Sequence, residues 1–208
     1  MRRIRNKIVA AVMLICLLAF GILAGQQYYL QCRNNDSNEA RVKDYRETVF
    51  RDFDTAAKNQ VDAAISLLQS IHEMEKARQL MPEEARKRAA DTIRAIRYDK
   101  DNYIFVDTTD GVNVVNMGKD SEGKSRYDTK DAKGKLLFHE IIAAGKRDGG
   151  GFTEYYWPKP GQTEATVKRT YARLFAPYNW IVGTGNWVDD LEERAKIHET
   201  AAKDESKQ

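Results

Sequence analysis

The chain has 208 residues, 31% of them charged and 42% hydrophobic, with 34 Lys and Arg against 31 Asp and Glu for a net charge of +3. With an N-terminal hydrophobic stretch set aside, this length supports one domain with its own core, and the composition is that of a folded chain, not a disordered one. Charges of both signs are mixed throughout, which leaves no basic face for nucleic acid, and two cysteines, Cys16 and Cys32, exclude a disulfide framework and a cysteine-based zinc cluster.

Arg2, Arg3, Arg5 and Lys7 precede an uncharged run from Ile8 to Gly25, about long enough to cross a bilayer as a helix. The cationic flank stays in the cytoplasm, which predicts a single-pass inner-membrane protein whose bulk lies outside. The alternative is a cleaved signal peptide with Ala19-Phe20-Gly21 as a weak small-x-small site, but the run exceeds the usual apolar region of such a peptide. Gln31 before Cys32 argues against a lipoprotein.

Asn34 to Asn38 reads as a polar gap, with Ser37 as the cap of the next helix. From Val42, through Tyr45, Val49, Phe53, Ala57, Val61, Ala64 and Leu68 to Ile71, apolar residues recur every three or four positions and predict an amphipathic stalk of about 40 residues. Its stripe either pairs with a second copy to form a homodimer or is covered by the sheet of its own domain. Pro82, Glu83 and Glu84 open a second helix, with Ala85, Ala89, Ile93 and Ile96 facing inward. At Tyr98 the period changes to two. Strands are predicted at 103–107, 112–116, 152–157, 166–175 and 180–184, with a short helix at 136–144 and a last helix starting near Val188. Thr109-Asp110-Gly111, Pro158-Lys159-Pro160-Gly161 and the stretch 176–179 supply the turns. Helices followed by short strands joined by tight turns predict an α+β domain, in which a long helix packs on a five-stranded antiparallel sheet. The expected organisation is an anchor at 1–33, stalk and second helix at 34–97, sheet at 98–191 and a charged helix end and tail at 192–208.

The stretch from Arg97 to Leu191 resembles the single Cache domain, of the Cache_2 type, found in bacterial chemoreceptors and sensor kinases. The residues that carry the resemblance are Arg97-Tyr98 before 102–107 (Asn-Tyr-Ile-Phe-Val-Asp), Asp110-Gly111, Glu122-Gly123-Lys124 and 131–135 (Asp-Ala-Lys-Gly-Lys). Then come Gly151-Phe152, Tyr155, 157–161 (Trp-Pro-Lys-Pro-Gly), Lys168 to Tyr171, 180–185 (Trp-Ile-Val-Gly-Thr-Gly) and Asp189-Asp190. The resemblance implies a PAS-like sheet on a long N-terminal helix and an extracytoplasmic pocket for small molecules, often short carboxylates. Two positions at the pocket border depart from it: Asn116-Met117 stands where many members carry His-Pro, and Ser125 where many carry Asn. Members usually continue into a second membrane helix and a cytoplasmic module, whereas nothing after Leu191 is apolar enough to span a bilayer.

The strand pattern also identifies site residues without the family. Along 166–175, Arg169, Tyr171 and Arg173 alternate with Lys168, Thr170, Ala172 and Leu174; taking the arginines as the wet face turns Lys168 inward. An inward lysine costs several kcal/mol unless a counter-charge meets it. A bound carboxylate would supply that charge; the structural alternative is a bridge to Glu154. Glu154 marks the outer face of its own strand, however, which puts Tyr155 and Trp157 beside Lys168. Tyr155 and Tyr103 offer phenolic donors or fill the core, and Trp157 is a pocket wall. Asn116 is a pocket amide, and Arg126 on the following loop either forks a carboxylate or stays solvated. Gly183 and Gly185 serve a tight turn or a close backbone approach.

Catalysis finds no motif: His72, His139 and His198 lie outside any metal signature, and no nucleophile elbow or phosphate loop occurs. A calcium-loop frame on Gly134 and Glu140 puts Thr129 and Lys133 at ligand positions, which fails. The expectation is a non-enzymatic sensor without metal or cofactor that binds a small organic anion for signal transduction or chemotaxis. The alternatives are an interaction module that reports to a separate receptor or kinase, and a truncated chemoreceptor.

Overall fold

The computed structural model describes residues 2–99, 102–159 and 161–205. The expected turn residue Pro160 and the tail end 206–208 lie outside the described residues. The chain divides into two compact units, residues 1–47 and 48–208, which are taken separately. Helix α1 (Arg2–Lys76) contributes to both. The expected gap at 34–38 is helical, so Ser37 caps nothing. Neither proline nor glycine occurs there, and Asn, Asp and Ser each cost a helix less than ~1 kcal/mol.

In the first unit, Met13, Leu14, Ile15, Leu17, Leu18, Phe20, Ile22 and Leu23 are 60–73% exposed. By length and composition this is the one helix among the described residues able to cross a membrane.

In the second unit, α2 (Pro82–Ala95) starts on its proline and buries Ala85, Ala89, Ala90 and Ile93. A two-stranded ribbon, β1 (Arg97–Tyr98) with β2 (Asn102–Tyr103), leads into the main sheet. That sheet comprises β3 (Phe105–Thr108), β4 (Asn113–Val115), β5 (Gly151–Pro158), β6 (Ala165–Phe175) and β7 (Trp180–Trp187) in the order β4-β3-β7-β6-β5, every pair antiparallel. Helix α3 (Leu137–Gly145) packs on one face, and α4 (Val188–Glu205) follows β7 directly. The sequence merges β2 and β3 into one strand; the chain divides them at Ile104, which is buried in the core.

Both sheet faces are covered, which corrects the expectation that Arg169 and Arg173 face water. The α1 stripe Ala57, Val61, Ala64, Leu68 and Ile71 packs with Tyr171, Phe175 and Val182 in one core cluster, so this stretch of the stripe is occupied by its own sheet. The arginines lie on this covered face with acids built in to meet them. Arg169 donates from Nε and Nη2 to the two Asp54 oxygens, each at 2.8 Å, and Arg173 Nη1 reaches Asp62 Oδ1 at 2.6 Å. Eight helical residues rise about 12 Å and four strand residues about 13 Å, so Asp54 and Asp62 match the spacing of Arg169 and Arg173. The opposite face holds a second cluster of Phe105, Leu137, Phe138, Ile141, Tyr155, Ala172 and Ile181.

Candidate functional site

On the α3 side of the sheet lies a cavity of about 550 Å³. All six residues singled out from the sequence, Tyr103, Asn116, Arg126, Tyr155, Trp157 and Lys168, line it. The sheet register brings them together: Lys168 on β6 sits between Tyr155 on β5 and Trp187 on β7. From α3, Leu137, Phe138 and Ile141 form an apolar wall; from the loop after β4 come Lys119, Asp120 and Ser121.

Lys168 is only 3% exposed. Its Nζ lies 4.3 Å from the centre of the Trp187 ring and 5.0 Å from that of Tyr103, with one long hydrogen bond of 3.4 Å donated to Tyr103 Oη. Among the described residues no carboxylate lies within ion-pair reach of it. Glu154, the structural alternative, is bound instead to Arg169 at 2.7 Å. Burial, then the neighbouring charges of Lys119 and Arg126, pull the Lys168 amine down to about 7.

The other cation is committed. Arg126 donates from Nε and Nη2 to Asp107, at 3.1 Å and 2.5 Å to Oδ1 and 2.6 Å to Oδ2, and lies over the Phe138 ring at 4.2 Å. Its fork is therefore spent on an internal acid, not held open for a ligand, and only Nη1 is left unengaged by Asp107. Asp107 is fully buried and also accepts from Asn113 Nδ2 at 3.2 Å. Burial pushes its carboxyl up against the opposing pull of Arg126 and Asn113.

Tyr155 exchanges a 2.9 Å hydrogen bond with Thr170, and burial raises its phenol, as it does that of Tyr103. Both hydroxyls are thus neutral donors or acceptors at the cavity wall. Trp157 takes the Trp187 indole N–H on its carbonyl at 2.9 Å. Asn116 donates to Ser121 Oγ at 3.0 Å, and the backbone N–H groups of Asn116 and Gly118 converge on Glu122 Oε1 at 2.6 and 2.8 Å. Glu122 Oε2 accepts from Arg94 Nε of α2 at 2.9 Å, which ties the cavity rim to that helix. Between them Met117 has φ 59°. A proline, locked near −65°, cannot take that angle, so this loop path is closed to the His-Pro pair noted above.

Residues the sequence reading missed include Trp187, because β7 extends three residues beyond the expected Thr184. Gly183 and Gly185 lie inside that strand, where a Cβ on Gly183 would stand 2.5 Å from Phe105 Cζ; they serve close approach, not a turn. Continued alternation through Asn186 and Trp187 was the signal that marked the longer strand.

A family model described as a Cache domain (dCache_2) matches residues 35–206. The chain belongs to the Cache domain family. This Cache domain is 32% identical over 138 residues to the methyl-accepting chemotaxis protein McpP of Pseudomonas putida, covering 65% of this chain and 25% of the relative. It is 27% identical over 151 residues to the sensor histidine kinase MctS of Rhizobium johnstonii, covering 72% of this chain and 32% of that protein. The chain thus spans about a quarter to a third of these relatives. Among solved structures, one described as the structural basis for carboxylic acid recognition by a Cache chemosensory domain superposes with TM-score 0.64 at 30% identity, covering 68% of this chain and 97% of that one. A periplasmic sensor domain of a chemotaxis protein gives TM-score 0.59 at 31% identity, covering 62% and 91%.

Proposed function

We propose that this Cache domain is an extracytoplasmic sensor, tethered by an anchor within residues 1–33, that binds a short carboxylate without altering it chemically. The observation that carries this reading is Lys168, a buried amine whose described surroundings supply aromatic faces and a phenol but no counter-charge. A carboxylate in the adjoining cavity supplies the missing charge, Tyr103 and Tyr155 offer hydrogen bonds, and Trp157 with the α3 wall accommodates an apolar tail. The relatives that fall into the chemotaxis and sensor-kinase classes, and the structural neighbour described as recognising carboxylic acids, support the same assignment. The cationic residues before the apolar run favour an N-terminus in the cytoplasm and a sheet outside.

The test is thermal denaturation of the full chain in detergent against acetate, propionate, lactate and succinate. A ligand at a hundred times its Kd stabilises by about 2.7 kcal/mol, or roughly 5–10 °C for a chain of this size. Lys168→Ala is expected to keep the fold and lose the shift. If no acid shifts the wild type, the carboxylate reading fails; an undiminished shift in Lys168→Ala removes that residue from the site.

A further inference from the structure

We infer that the cavity takes two ligands together, an organic anion and a proton: above neutral pH, Lys168 stands as a neutral amine while the cavity is vacant and becomes an ammonium when a carboxylate enters. The consequence is a receptor whose grip on its anion loosens as the surroundings turn alkaline. This rests on the carboxylate reading above and adds the regulation of that site.

The geometry carries it. An amine at 3% exposure has lost the water that favours its charged form. The charged groups that act on it, Lys119 and Arg126, repel a further positive charge. The acids of the surrounding elements are engaged elsewhere: Asp107 of β3 by Arg126, Glu154 of β5 by Arg169, and Asp189 and Asp190 of α4 by Lys159 at 2.7 and 2.5 Å. Asp120 lines the cavity from the loop and is itself exposed. The facing phenols, Tyr103 and Tyr155, are held neutral by burial. The Trp187 and Tyr103 rings favour an ammonium, a weaker influence than the loss of water. Burial and the two cations together bring the amine down to about 7, where a single incoming negative charge decides its state. In the binding step the carboxylate stays ionised and the nitrogen lone pair takes one proton from a solvent or buffer acid, an N–H bond forming as the donor's bond to that proton breaks and its conjugate base stays in solution. By linkage, each carboxylate bound well above neutrality brings one proton with it.

Two measurements on the full chain in detergent test this. Calorimetric titration with acetate at pH 6, 8 and 9, in buffers of small and large ionisation enthalpy, is expected to show proton uptake near zero at pH 6 and approaching one per acetate at pH 9. Affinity should fall about tenfold per pH unit above pH 8. Lys168→Arg, whose guanidinium never deprotonates, should bind with buffer-independent heats and flat affinity. Separately, vacant protein labelled with [ε-13C]lysine should show one resonance, absent in Lys168→Arg, that titrates between pH 6 and 9. Acetate binding with buffer-independent heats in the wild type, or a Lys168 resonance unmoved below pH 9.5, overturns the proton coupling and leaves the carboxylate reading standing. Absence of acetate heat at every pH overturns the site's reading as an acetate-binding cavity, and the coupling with it.

Discussion

Replacing Lys168 with methionine should make the protein more stable. Methionine keeps the length and flexibility of the side chain and removes its charge. In the unfolded chain the amine titrates at its ordinary 10.5, in the folded chain at about 7. Below pH 7 both states carry the proton, and the native state bears the whole cost of the buried charge. Between pH 7 and 10.5 the unfolded chain still holds a proton that the native one has shed, so wild-type stability climbs with pH. At 1.36 kcal/mol per pH unit the full span is roughly 5 kcal/mol. The variant forfeits the ring contacts with Trp187 and Tyr103, worth about 0.5–2 kcal/mol, and one long hydrogen bond. A net gain on the order of 3 kcal/mol at pH 6 follows, or about 6–12 °C for this chain length, narrowing above pH 7, reaching zero at about pH 9 and reversing by about 1 kcal/mol at pH 10. Circular-dichroism melts of both proteins in detergent at pH 6, 7, 8, 9 and 10 read the difference directly. A variant no more stable than the wild type at pH 6, or a gap that does not close with pH, would refute the reasoning. A residue whose removal strengthens the fold has a task other than holding it.

Asp107→Asn leaves the part-buried Arg126 guanidinium without its acid, and breaking a buried pair costs about 3–5 kcal/mol, an upper range for this one; chemical denaturation should show the loss, and an unchanged midpoint would mean the pair is not formed. Met117→Gly removes the cost of a left-handed side-chain position, about 1–2 kcal/mol, and should raise the melting temperature, whereas Met117→Pro cannot adopt φ 59° and should abolish the acetate-induced shift. Equal binding by both Met117 variants would show that the loop path does not shape the cavity.

The alternation along 166–175 was readable because a strand has a period of two, and it turned Lys168 to the correct face. Charge alone marks Arg169 and Arg173 as wet, and only the fold shows Asp54 and Asp62, more than a hundred residues away, meeting them on α1. The same blindness to distant partners hid the fate of Arg126, whose acid lies 19 residues upstream on β3. The sequence leaves Gly183 and Gly185 open between a tight turn and a close backbone approach, with the strand expected to end at Thr184. Here they lie within β7 because Phe105 and Thr170 leave no room for a Cβ, and so Trp187, the aromatic face over Lys168, went unnoticed. Five of the six site candidates follow from alternation or from a loop joined to the sheet, and register places such residues side by side; Tyr103 follows from its phenol alone.

Strand β6 makes the case for the cavity by internal comparison. Three cations lie along its central stretch, at 168, 169 and 173. The two that point toward α1 each meet a carboxylate at hydrogen-bond distance, and Arg169 meets two. Elsewhere the chain equips its cations just as readily: Lys159 with Asp189 and Asp190, Arg94 with Glu122, Arg126 with Asp107. Among these, Lys168 alone is both almost fully buried and lacking a described acid, and it lines the cavity. A lysine retained for the fold would be expected to follow the pattern of its neighbours, since an uncompensated buried charge is the costliest option available to a core. Its unpaired state is intelligible when the compensating charge comes from outside, which makes the deviation at residue 168 an argument for a ligand independent of any relative.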